Sequence, residues 1–134
     1  MVTVGSKLLI PLILGLPGET AEEILLHAEK IAIQPLDTIK LHQLQIIKNT
    51  QLASDFKKNP SEIRLFPLEE YIDLCINFTE KLNSDVVIER FASESKPELL
   101  EIKAWGGIKN QQIADMISNE MKRRNTWQSK QFVK

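Results

Sequence analysis

The hydrophobic pattern divides the chain into short apolar runs alternating with helical stripes. Leu8 to Leu16 (LLIPLILGL) is almost wholly apolar and is closed by Pro17, Gly18, Glu19 and Thr20. A short apolar run ended by Gly and Pro predicts a strand covered on both faces, as in a parallel sheet. Thr20 with Glu23 three residues on reads as a capping box. Ile24, Leu25, Ala28, Ile31 and Ala32 then recur at helical spacing, and Pro35 ends that helix. Thr38 to Ile47 (TIKLHQLQII) is rich in β-branched and apolar residues and predicts a second strand, completing a βαβ unit. Thr50 to Asn59 predicts a short helix stopped by Pro60. Pro67 to Leu82 predicts an amphipathic helix whose apolar face includes Leu68, Ile72, Cys75, Ile76 and Phe78. Asp85 to Phe91 reads as a strand, 92 to 108 as irregular chain, and Asn110 to Arg124 as a final helix carrying Ile113, Met116, Ile117 and Met121.

Composition narrows the chemistry. The 134 residues are 43% hydrophobic and 26% charged, which is globular. Seventeen basic and 18 acidic side chains leave a formal net charge of −1, so the surface as a whole is not built to coat nucleic acid or an anionic membrane. The single cysteine, Cys75, forms no internal disulfide and by itself holds neither an iron–sulfur cluster nor a structural zinc. Its place on an apolar helix face predicts an inert core thiol. The apolar run behind Lys7 imitates a signal-peptide core, but it is shorter than the about 20 residues a membrane span needs and no small-x-small cleavage site follows. The expectation is a cytoplasmic protein that does not engage a membrane.

Two constellations carry candidate chemistry. Gly15-Leu16-Pro17-Gly18-Glu19-Thr20 joins a strand end to a helix start, the place where parallel sheets collect ligands. It matches neither phosphate-loop nor dinucleotide fingerprints, and a plain capped turn explains its residues equally well. On the second predicted strand, Lys40 and His42 share one face while Gln43 and Gln45 share the other. So many polar residues suit either a wet cavity or an edge strand with a solvated face. The tail from Met121 holds Lys122, Arg123, Arg124, Lys130 and Lys134 with Trp127 and Phe132 between them. It reads either as a nucleic-acid patch or as favourable charge at a helix C-terminus.

Taken together, LILGLPGET, IKLHQLQIIKNT, PLEEYIDL, DVVIERF and RRNTWQSK resemble the C-terminal half of a radical S-adenosylmethionine (radical SAM) family, the bacterial predicted Fe–S oxidoreductases of the Elp3-related branch. The resemblance runs from about Lys7 to Lys130. It implies an α/β fold: the last two strands of a partial (β/α)6 barrel over residues 1–59, and a small α/β C-terminal extension with a basic tail over 60–134. Pro11 to Glu19 then corresponds to the fifth barrel strand, whose glycine motif packs against the adenine of SAM. Ile13 and Gly15 fall on that motif, Leu16 adjoins it, and Glu19 comes one residue later than in the commonest form. Thr38 to Thr50 corresponds to the sixth strand, which makes Lys40, His42, Gln43 and Gln45 the substrate-facing residues. A [4Fe-4S] cluster that reduces SAM to a 5′-deoxyadenosyl radical is implied for the whole enzyme.

The chain departs from that family in two ways. It contains no Cys-x-x-x-Cys-x-x-Cys, and it begins just before the fifth strand. Pro11 occupies a position where the family usually has histidine. The expectation is therefore an engineered fragment, a split or truncated gene product or half of an assembled enzyme, with the N-terminal radical SAM half or the parent chain as partner and no metal of its own. An uncovered fifth-strand edge would favour homo-oligomers. No catalytic acid or base is assigned. The competing class is a non-catalytic module that binds RNA or a protein through the basic tail.

Overall fold

The computed structural model describes residues 2–4, 7–102 and 104–132. Its centre is a sheet in the order β1 (Val2–Val4), β2 (Lys7–Leu14), β3 (Thr38–Gln43) and β4 (Val87–Arg90). The strands β2, β3 and β4 are parallel, and β1 runs antiparallel against Lys7–Leu9. The helix α1 (Ala21–Ala32) links β2 to β3. Thr20 caps it by accepting the Glu23 N–H at 3.2 Å, so the hydroxyl half of the expected capping box is present. Between β3 and β4 lie α2 (Gln51–Lys58) and α3 (Leu68–Lys81), and α4 (Asn110–Arg124) follows β4. Thr50 caps α2, accepting the Ala53 N–H at 3.1 Å.

Strand alternation decides the layers. Ile39 and Leu41 are fully buried and join Leu14, Ile24, Ala28, Tyr71, Phe78 and Ile117 in one core between the sheet and α1, α3 and α4. The opposite sheet face is bare: Ile13 is 42% exposed and Val87 60% exposed. The α1 and α3 stripes fall where the periodicity places them, as do Ile113 and Ile117 of α4, whereas Met116 is turned out to solvent. Cys75 is wholly buried, and burial pushes its thiol up to about 12.

The second predicted strand stops at Gln43, short of Ile47. Its neighbours have ended by then, β4 at Arg90 opposite Lys40 and β2 at Leu14 opposite Gln43, before the turn at Gly15 with φ +91, so no ladder partners remain. The chain pairs elsewhere instead. Glu101 N–H donates to the Ile46 carbonyl and Lys48 N–H to the Leu99 carbonyl, both at 2.8 Å, around an antiparallel bridge between Ile47 and Leu100. Ile46, Ala53 and Ile63 form a second, smaller core under α2. Asp85 to Phe91, expected in the C-terminal extension, contributes β4 directly to the main sheet, with a register shift at Ile39/Lys40.

Candidate functional site

The carboxyl edge of the parallel strands is shaped by three local devices. The first is the turn after β2. Glu19 folds back so that its Oε1 accepts the Gly15 and Leu16 N–H groups at 3.0 and 3.3 Å, while Oε2 lies 3.5 Å from His27 Nδ1. A Cβ on Gly15 would come within 2.5 Å of the Phe66 ring, so only glycine suits both the backbone and that contact.

The second device joins β3 to the chain just beyond β4. The Gln43 amide spans the backbone of Ser93, donating to its carbonyl at 2.9 Å and accepting its N–H at 2.8 Å. On the other face, His42 Nδ1 hydrogen-bonds Ser93 Oγ, and farther along Ser95 Oγ donates to Gln45 Oε1 at 2.9 Å. Burial, with the positive charges of Arg90 and Lys40 adding to it, holds the His42 pKa below its ordinary value, which favours the neutral ring. Lys40 is paired with Glu89 at 3.6 Å.

The third device is an aromatic brace. Trp105 donates its Nε1–H to the Phe66 carbonyl at 2.9 Å and lies against Tyr71, with ring centroids 5.0 Å apart. Tyr71 in turn hydrogen-bonds the Phe91 carbonyl. Burial, with Cys75 adjacent, raises the Tyr71 pKa well above its usual 10.

Between the two cores these devices enclose a cavity of about 380 Å³, within the size range of small-molecule sites. Of the residues singled out in the sequence, Gly15, Gln43 and Gln45 line it. Ile13, Leu16, Lys40 and His42 are not on its wall. Paired positions place Ile13 and His42 together on the bare sheet face, whereas Gln43 pairs with Leu14 on the helix-covered side. Leu16 is 45% exposed. Phe66, Ser93, Ser95 and Trp105 also line the cavity and were not foreseen. The one available signal was Trp105 itself, a large aromatic in an otherwise irregular, glycine-rich stretch.

Among the described residues no helix is long and apolar enough to cross a membrane, and no group of three or more His, Cys, Asp or Glu side chains is placed to hold a metal. The basic tail is built into the fold as far as it is described; Lys134 lies outside the described residues. Arg124 pairs with Asp73 at 2.8 Å and with Glu120 at 3.0 Å, and Arg123 also pairs with Glu120, whose carboxyl is held at about 2. Gln131 N–H donates to the Glu80 carbonyl at 2.8 Å.

A parallel three-stranded sheet, helices on one face and a glycine turn at the carboxyl edge define an α/β protein of the kind that binds ligands at its strand ends. The Radical_SAM C-terminal domain model matches residues 36–123, and the chain belongs to that family. It is 28% identical over 130 residues to an uncharacterized protein of Methanocaldococcus jannaschii, covering 97% of this chain and 40% of that protein. It is 32% identical over 101 residues to the protein YhcC of Escherichia coli K12, covering 75% of this chain and 32% of that one. The chain thus spans well under half the length of these relatives. The solved structure of archaeal Methanocaldococcus infernus Elp3 with an N-terminal deletion superposes with a TM-score of 0.74 at 17% identity, over 91% of this chain and 28% of that one. The fold is shared, and the chain is a radical SAM-related C-terminal region.

Proposed function

We propose that the chain works as the C-terminal portion of a radical SAM Fe–S oxidoreductase-like enzyme, supplying the adenine side of the SAM site and part of the substrate side. The observation that supports this most is the bare sheet face ending at Gly15. A strand from a family that binds SAM leaves Ile13 and Leu16 half exposed beside a turn with φ +91. The fit to adenosine is apolar. Glu19 occupies the Gly15 and Leu16 N–H groups, so the backbone there offers contact surface rather than donors. Bound SAM would supply the radical chemistry, and Ile13, Gly15 and Leu16 would orient it, with Glu19 holding the turn.

Lys40 and His42, on the same face as Ile13, are the residues placed to meet substrate. In this reading Gln43 and Gln45 act from the other side, by fixing Ser93 and Ser95. The residues present do not fit a [4Fe-4S] cluster, since the one thiol, Cys75, is buried in the core. The cluster belongs to the N-terminal half of the enzyme, whether that half lies in the parent chain or in a partner. Further barrel strands would pair on the edge of β2 beyond Leu9, where the antiparallel β1 stops.

Titration of the isotopically labelled chain with SAM, followed by amide NMR, tests the reading. The Ile13, Gly15 and Leu16 amides should shift saturably. Shifts absent from these residues at saturating SAM overturn the reading.

A further inference from the structure

The cavity beside Gln45 meets the face assigned above only at Gly15, which adjoins both. It opens on the helix-covered side of β3, beyond the carboxyl edge, and has its own walls. The geometry points to this cavity as a second binding site, one that takes a planar, uncharged, fused-ring heterocycle. The inference rests on the cavity itself and not on the SAM reading.

Three features select that ligand class. The walls are largely apolar and aromatic, with Phe66 and Trp105 beside Ile46 and Leu100. Trp105 is braced by its bond to Phe66 and its packing on Tyr71, so the aromatic wall is set before a ligand arrives. The polar groups are mostly spent. Gln43 uses both its nitrogen and its oxygen on Ser93, and Gln45 Oε1 takes the Ser95 hydroxyl. Among the described residues the Gln45 amide nitrogen has no acceptor, which leaves its N–H donors for a ring nitrogen or carbonyl. Three charged side chains reach the lining: Arg64 pairs with Glu70, Glu94 accepts the Asn110 N–H at 2.6 Å, and Lys109 is exposed at the rim, where solvent and salt screen it. An ionic ligand gains little here, and an aliphatic one leaves Gln45 unanswered. A flat heterocycle satisfies both wall and donor.

Lumichrome, an uncharged tricyclic heterocycle with its own fluorescence, is a direct probe. Anisotropy titration of the chain should show saturable one-to-one binding. Gln45→Leu should weaken it roughly fivefold, the worth of one hydrogen bond. Trp105→Leu should weaken it roughly tenfold or more. Ile102→Glu, which puts a charge on the partly exposed cavity rim, should also weaken it. Circular dichroism confirms the fold of each variant; if Trp105→Leu does not fold, Gln45→Leu and Ile102→Glu decide. Excess SAM should leave bound lumichrome in place. The inference is overturned by non-saturable binding, by wild-type affinity in Gln45→Leu and Ile102→Glu, or by displacement with SAM. SAM-induced shifts at Ile13 and Leu16 are read separately, so the two readings fail independently.

Discussion

Replacing Gly15 with alanine tests whether the turn after β2 is held by backbone conformation alone or also by Phe66. Two costs add. An L-residue at φ +91 is strained by about 1–2 kcal/mol, offset by about 0.4–1 kcal/mol from a stiffer unfolded chain. The new Cβ would also lie 2.5 and 3.0 Å from two Phe66 ring carbons, which forces the ring to shift. Overpacking of that kind costs about 1–3 kcal/mol. Gly15→Ala should therefore lose about 2–4 kcal/mol in total. Gly18 provides the control. It has φ +81 with nothing within 4 Å of a built Cβ, so Gly18→Ala should lose only the net backbone cost, about 1 kcal/mol. Urea unfolding followed by circular dichroism measures both. In a Phe66→Leu background the Gly15→Ala loss should fall towards the Gly18→Ala value, giving a coupling of about 1–3 kcal/mol. Equal losses for the two glycine variants, or no coupling to Phe66, would refute the packing argument.

Three further outcomes follow from the same geometry. Gln43→Leu leaves the half-buried Ser93 N–H and carbonyl without their partner and should cost about 2–4 kcal/mol, with faster hydrogen exchange at Ser93; unchanged exchange there contradicts the clamp. His42 has a folded-state pKa below 6.5, so as pH falls the unfolded chain takes up the proton first. Its stabilising effect is complete above pH 6.5 and is lost as pH drops below it, and His42→Gln should flatten the stability profile between pH 7.5 and 5.5 relative to wild type. Tyr71 is the sole tyrosine and Cys75 the sole cysteine. Phenolate absorbance and reaction with a thiol reagent should therefore both appear only when the chain unfolds, and early appearance of either would show that the Tyr71–Cys75 core opens locally.

Elements held by local rules were legible in the sequence. The α1 stripe, the α3 stripe and the opposite facing of Ile39–Leu41 and Lys40–His42 follow from periodicities of 3.6 and 2, and the structure has them. Gly15 could be placed at a strand end for the same reason. The cavity was not legible, because its walls come from distant segments. Gln43 meets Ser93, 50 residues away, and Trp105 meets Phe66 at a separation of 39. Neither partner carries a periodic signature. The length of β3 failed for a related reason: the pattern through Ile47 is strand-like, but strand length depends on neighbours, and both end near Gln43.

The loop that walls the cavity begins and ends at almost one point. Ala92 N–H donates to the Asn110 side chain at 3.1 Å, and the Asn110 N–H returns to Glu94 at 2.6 Å, so the two ends of the loop are tied together. The loop also supplies much of the cavity wall, including Pro97, Leu100 and Trp105. Fold and pocket shape are tied at the loop's anchors, where Ser93 meets Gln43, Leu99 meets Lys48 and Trp105 meets Phe66, and are free to vary only between them. Length changes confined to residues 96–98, between the Ser95 and Leu99 anchors, would alter the pocket mouth and keep this body.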